Sequence, residues 1–272
     1  SDMTDELFIR KMRDVASRSE YDTSVTPFLT PAEQCEAFDS LPEYRSKLFF
    51  WGAFRGAERR SAFFLPDWLA DAHETGGSLF SPERESLFLS LCESGGIVPS
   101  EHVTSLSVTG SGFVKLGHRD WLGAALNLGV ERSALGDIAV TSDKSCVIAC
   151  TARIAPLLSD ELVRVARDTV KTELFADTDF TPVREFEESD ITVSSMRFDC
   201  IVKALCRVSR EEAQRLVSSG LCTLEWRECT EVSRTVAEGE AVSVRGFGKF
   251  MIDKITGSTK KDRIRLSVKK YV

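Results

Sequence analysis

Between Arg197 and Lys249 the chain spaces its cations in a way suited to holding phosphate: Arg197, Lys203, Arg207, Arg210, Arg245 and Lys249, with Gln214 one turn after Arg210. An arginine fork grips two phosphate oxygens at once and also stacks on planar rings, while lysine adds a compact point charge. Each such contact with a nucleic acid releases counterions, so binding of this kind weakens steeply with salt. In the turn Arg245-Gly246-Phe247-Gly248-Lys249 two glycines let backbone approach a ligand closely. A helix pair carrying ordinary solvated arginines accounts for the same residues, and the pattern alone does not separate the two readings.

Two short helices must position these groups. Ser209 is placed to cap the second, Glu212 three residues on completes a capping box, and Gly220 supplies the stop. Ala213, Leu216 and Val217 form one buried stripe on it. On the first helix Ile201, Val202 and Leu205 face inward, which leaves Arg197, Lys203 and Arg207 for solvent. Packed on these stripes, the two helices present Arg197, Lys203, Arg210 and Gln214 as one basic surface, and a small sheet follows.

The chain around this segment is acidic. Its 272 residues carry a formal net charge of −7 and are 42% hydrophobic and 28% charged, a soluble globular composition. The average conceals a split. Residues 195–272 hold 16 Lys and Arg against 10 Asp and Glu, a net of +6, whereas residues 1–194 hold 19 against 32, a net of −13. Such asymmetry points to a basic binding module carried on an acidic body. No apolar run approaches the roughly 18 residues of a membrane span, and no charged-then-apolar leader opens the sequence, so a cytoplasmic protein without a membrane partner is expected. Eight cysteines (Cys35, Cys92, Cys146, Cys150, Cys200, Cys206, Cys222 and Cys229) form no C-x-x-C pair and lie far from the three histidines, so no metal, disulfide or cofactor is expected.

Three regions and a linker are expected, in an α+β, multidomain fold. Residues 1–95 form an αβ region that starts helical, with Thr30-Pro31-Ala32-Glu33 as a cap, a Pro at the first helical position and a Glu three after the cap. Residues 48–54 and 61–65 read as a β-hairpin, Thr75-Gly76-Gly77 as a break, and Ser81-Pro82 as the start of a helix through about Cys92, although Leu87-Phe88-Leu89 also fits a strand. Residues 96–178 read as strand 103–108, helix 119–128 closed by Gly129, strands 138–141 and 146–151, helix 158–166 and strand 170–175. That βαββαβ order is the split βαβ, ferredoxin-like arrangement shared with RNA-recognition domains. Their aromatic stacking signature is missing, because Cys146-Val147-Ile148-Ala149 offers no ring to a base. Residues 179–194, acidic and polar, read as a linker to the basic module at 195–272.

A second string runs from Gly112 through Leu116-Gly117-His118-Arg119-Asp120-Trp121-Leu122-Gly123-Ala124 to Arg132 and Gly136-Asp137-Ile138. His118-Arg119-Asp120 suggests a kinase catalytic loop, but that loop needs Asn where position 125 is Ala, and no Gly-rich nucleotide loop accompanies it. Asp120 instead fits a helix's first turn, where the dipole favours a carboxylate, with Trp121, Leu122 and Leu126 as core. His118, Arg119 and Arg132, flanking both ends of that helix, are candidate phosphate contacts.

The segment from Arg197 to Phe250 resembles the S-four domain, a small αL-motif RNA-binding module. The likeness rests on Arg197-Phe198-Asp199 opening the first helix, Ser209-Arg210 with Ala213 and Gly220 in the second, and the hairpin Gly239-Glu240 to Val244-Arg245-Gly246. It implies binding of structured RNA, with Arg197, Lys203, Arg210, Gln214, Arg245 and Lys249 as the contacting side. Glu225 stands where Asn is usual and adds negative charge near that surface, and Glu240 replaces the usual Asp. With the central string and the hairpin residues Gly56-Ala57-Glu58-Arg59-Arg60 and Phe64-Leu65-Pro66-Asp67, nearly the full chain is similar to the YlmH family of bacterial cytoplasmic proteins.

That resemblance implies a non-enzymatic RNA-binding factor on the large ribosomal subunit, engaging rRNA and tRNA in quality control of stalled peptidyl-tRNA, with a cell-division gene neighbourhood. It leaves no place for a small-molecule substrate. Two other classes stay open. S-four domains also serve as handles of pseudouridine synthases, although the body before the module shows no nucleotide-binding loop, paired carboxylates or Cys-His site. The acidic body could also dock a basic ribosomal protein or a division factor.

Overall fold

Residues 145–151 are apolar at almost every position, and the structure buries both faces of the strand they form. This computed structural model describes residues 2–70 and 79–271; the break expected at Thr75-Gly76-Gly77 falls outside them. The chain divides into two units, Ser1–Val183 and Arg184–Val272.

The first unit runs α1 (Asp2–Ser17), β1 (Ser24–Leu29), α2 (Pro31–Ser40), β2 (Leu48–Trp51), β3 (Arg60–Phe64), α3 (Asp67–Ala70) and α4 (Pro82–Gly95). It continues with β4 (Val103–Gly110), α5 (His118–Asn127), β5 (Leu135–Ser142), β6 (Ser145–Thr151), α6 (Ala155–Glu161), β7 (Arg164–Val165) and β8 (Asp168–Leu174). The start is not helical throughout, because β1 separates the first two helices and pairs with β3. The cap of α2 forms as its residues dictate: Thr30 Oγ1 accepts from Glu33 N–H, and the Glu33 carboxylate accepts from Thr30 N–H at 2.7 Å. The helix expected at 158–166 begins earlier, with Pro156 in its first turn, and ends before the short β7.

Two sheets result, β1-β3-β2 and β5-β6-β4-β8-β7, with antiparallel neighbours. On one face of the larger sheet Val108, Cys146, Ile148 and Cys150 pack under Trp121 and Ala125 of α5 and Leu158 of α6. On the other face Val103, Val147 and Ala149 pack against Phe49, Trp51, Phe63 and Phe88. The boundary expected between residues 95 and 96 is therefore no division: the alternate apolar side chains of β6 need a cover on each face, and residues 28–92 supply one. No helix among the described residues is long and apolar enough to cross a membrane.

Gly136 lies where these halves meet. A Cβ there would stand 2.5 Å from Phe28 Cε1 and 2.8 Å from Ala149 Cβ. Gly136→Ala is therefore expected to destabilise the protein by about 1–3 kcal/mol, the usual cost of overpacking a core. Urea unfolding of the full chain checks this, and an unchanged midpoint would contradict it.

The second unit comprises β9 (Phe186–Val193), α7 (Phe198–Cys206), α8 (Arg210–Ser218), β10 (Cys222–Leu224), β11 (Arg227–Glu228), β12 (Ala241–Val244), β13 (Gly248–Ser258) and β14 (Ile264–Tyr271). Its antiparallel sheet has the order β11-β10-β12-β13-β14-β9. Phe198, Ile201 and Val202 of α7 and Ala213, Leu216 and Val217 of α8 bury their stripes with Val242, Val244, Leu266 and Val268 of the sheet. Residues 186–193 are thus an edge strand, where the composition suggested linker. Their acids face the basic β14, with Glu188 opposite Lys269 and Glu187 opposite Lys270. Opposite charges directly across a ladder stabilise it.

Candidate nucleic-acid interface

A buried carboxylate organises the basic face of the second unit. Asp199 sits in the first turn of α7, fully buried. Arg197, the residue that caps this helix, donates to it through Nε at 3.0 Å and Nη2 at 3.2 Å. Gln214 of α8 donates through Nε2 at 3.0 Å, the N–H of Cys200 donates at 3.0 Å, and Arg210 Nε stands 4.0 Å away. Burial by itself would raise the carboxyl pKa. The hydrogen bonds from Arg197 and Gln214, with the Arg197 charge, outweigh it and hold the group at about 2. Asp199 is therefore an anion at any physiological pH, and it aims two guanidinium groups.

Those groups open on a groove of about 420 Å³ lined by Arg197, Lys203, Arg207, Arg210 and Arg263, together with Ser194, Ser195 and Cys200, and by no Asp or Glu. Arg207 ends α7 in the left-handed conformation, φ 56°. Arg263 arrives from the turn between β13 and β14 and donates to the Thr192 carbonyl at 3.2 Å. At the start of α8, Ser209 Oγ accepts from Glu212 N–H at 3.1 Å, but the Glu212 carboxylate turns to Arg215 instead of closing the expected box. Five cations on a concave surface free of acid can take the backbone phosphates of a folded nucleic acid.

Of the residues singled out from sequence, Arg197, Lys203 and Arg210 share this groove. Gln214 belongs to the Asp199 network behind it and acts as a positioning residue. Arg245 and Lys249 do not line it. Arg245 is exposed in the β12–β13 turn, and Lys249 Nζ lies 3.7 Å from the centre of the Trp226 ring and 3.9 Å from that of Tyr271. Glu225, expected to add negative charge near the surface, is tied into the sheet instead, its carboxylate accepting from Ala241 N–H and its pKa raised by burial. Asp199 and Arg263 escaped the sequence reading. The Arg-Phe-Asp string held a signal for the first, while nothing local marked the second.

In the first unit His118 and Arg119 are exposed at the start of α5, whose Asp120 carboxylate accepts from Gly117 N–H at 2.8 Å. Arg132 is half-buried and tied to backbone. Its Nη1 donates to the carbonyls of Leu135 at 2.7 Å and Gly136 at 3.3 Å, and burial lowers its pKa. Asp137 beside it accepts from the N–H groups of Glu58 at 2.7 Å and Arg59 at 3.0 Å. The hairpin string and the Arg132 to Asp137 string, far apart in sequence, thus form one junction. No group of His, Cys, Asp and Glu placed to hold a metal occurs among the described residues. Burial pushes the Cys150 thiol up to about 12, which leaves it no nucleophile at neutral pH.

Residues 105–179 match the family described as "Putative RNA-binding domain in YlmH". The chain is also 30% identical over 251 residues to the ribosome-associated protein quality control protein P2 of Bacillus subtilis, covering 92% of this chain and 88% of that protein. The chain belongs to the YlmH family. A solved structure described as the cell division protein ylmH from Streptococcus pneumoniae aligns at 20% identity with a TM-score of 0.42, over 63% of this chain and 91% of that one. The family match spans β4 to β8 and so includes the exposed His118 and Arg119 as well as the Arg132 to Asp137 junction.

Proposed function

We propose that this YlmH-family chain is an RNA-binding factor that recognises structured rRNA and tRNA on the large ribosomal subunit and acts in quality control of stalled peptidyl-tRNA. Residues 184–271 serve as an S-four-type module that grips folded RNA by backbone and shape, as suits a helix whose deep groove resists side-chain reading. The central domain adds a second contact, and the two together raise the affinity for a composite site. The protein makes and breaks no bond, takes no small-molecule substrate and works in the cytoplasm. The observation that carries this reading is the acid-free groove of Arg197, Lys203, Arg207, Arg210 and Arg263, aimed from behind by Asp199. The match of the central domain to an RNA-binding family and the name of the Bacillus relative support it.

The test is co-sedimentation with purified large ribosomal subunits, empty and carrying peptidyl-tRNA, across a salt series. Wild type is expected to bind the tRNA-bearing subunit more tightly. Arg197→Ala/Arg210→Ala is expected to lose that preference, with a salt slope shallower by about 0.7–0.9 for each phosphate contact removed. Equal, feeble binding by both proteins would overturn the proposal and favour a protein partner for the acidic body.

A further inference from the structure

We infer that Phe113 stacks on an unpaired base of the bound RNA, an inference that rests on the RNA-binding reading and gives the central domain its point of contact. The apolar centre of this domain's large sheet is covered on both faces, by α5 and α6 on one and by the aromatic cluster around Phe63 and Phe88 on the other, so no base can lie over the middle of β6. Phe113, in the loop between β4 and α5, is 78% exposed.

A lone exposed apolar residue means little. What distinguishes Phe113 is how its loop is held. Asp168, 1% exposed, accepts from Ser111 Oγ and, at 3.0 Å, from Gly112 N–H. The Phe113 N–H donates to Ser111 Oγ at 3.3 Å. Gly112 adopts φ +88°, a conformation that a larger residue rarely takes. Beyond the ring, Leu116 is buried and its N–H donates to the Asp143 carbonyl at 2.7 Å. The loop is thus pinned on both sides of a phenyl group held out to solvent, which lowers the ordering cost of binding.

Cations lie close to Phe113 along the chain and across the turn. The Lys144 side chain runs past Gly112, its Cδ 3.3 Å from where a Cβ would stand, and Lys115 and Arg119 are exposed on the same stretch, with His118 between them. The neighbouring carboxylates are engaged, Asp120 with Gly117 N–H and Asp143 with Lys115 at 3.0 Å. An aromatic face set among cations is how proteins hold single-stranded or looped nucleotides, with the ring taking a base and the charges the adjoining phosphates.

The test uses the full chain and a folded RNA hairpin carrying one 2-aminopurine in its unpaired loop, whose fluorescence is quenched on stacking. Phe113→Ala is expected to bind about 10-fold more weakly and to lose the quenching, the loss of one base–aromatic stack. Its salt slope should match wild type, since no phosphate contact is removed. Phe113→Tyr should retain both affinity and quenching. If Phe113→Ala binds and quenches as wild type does, while Arg197→Ala/Arg210→Ala is weakened, stacking is overturned and the RNA-binding reading stands. If wild type binds no RNA at any salt, both fall together.

Discussion

Asp199→Ala is expected to weaken RNA binding about as much as removing Arg197 and Arg210 together, although its buried carboxylate is hidden behind the groove. Two charge-assisted contacts at roughly 1.5 kcal/mol each put that loss on the order of 100-fold. The direction is the informative part. Removing an anion makes the groove more positive, so a surface that acted through net charge alone would bind more tightly. A surface that depends on aimed guanidinium groups binds more weakly, because Arg197 loses both of its hydrogen bonds to Asp199 and Gln214 its acceptor. Filter binding to folded RNA at fixed salt separates the two, and an unchanged or higher affinity would sink the positioning role.

The same residue predicts an acid limb. Its folded pKa of about 2 lies below the ordinary 3.8, so the folded state favours the ionised form. That contribution, on the order of 2 kcal/mol, is fully present above about pH 4 and is lost as pH falls toward 2. Asp199→Asn should flatten stability against pH across that window. A limb of undiminished size in the variant would assign it to other carboxylates.

Glu85→Ala is expected to cost the first unit about 3–5 kcal/mol, the usual penalty for removing one partner of a buried ion pair. Arg60 is 2% exposed, and its Nη1 stands 3.9 Å from Glu85 Oε1. Its other donors reach Gln34 Oε1 at 2.7 Å and the Leu79 carbonyl at 3.3 Å, and the guanidinium lies over the Phe80 ring at 4.7 Å. Burial drags its pKa down to about 10, against the pull of the Glu85 charge in the other direction. Glu85 also accepts from Gly56 N–H at 3.1 Å, holding the turn that leads into the Asp137 junction. Without the carboxylate, a buried cation and a backbone donor both lose a partner. Glu85→Gln, which keeps an acceptor for Gly56, should cost less. Urea unfolding followed through the buried Trp51 and Trp121 measures both, and equal stability of wild type and Glu85→Ala would refute the argument.

Much of the architecture was legible along the chain. The Thr30–Glu33 cap, the turn that follows α5 at Gly129 with φ +79°, the β2–β3 hairpin and the two apolar stripes of α7 and α8 all follow from residues within a turn or two of one another. Strand β9 was not legible, because the opposite charges that its acids face lie on β14, at the far end of this unit's sequence. Nor was the role of Arg132, whose guanidinium reads as a surface cation until Leu135 and Gly136 turn their carbonyls toward it.

Sequence by itself determined which charges the basic helices carry and which of their faces must be buried, since helix periodicity and capping act over a few residues. Tertiary structure decided which of those charges work together. Arg263 joins the groove because β14 pairs with β9 and brings its turn to Thr192. Asp199 aims Arg197 because helix packing closes over it, and an ion pair strengthens as water is excluded. Both choices depend on contacts between distant segments, which local spacing does not encode.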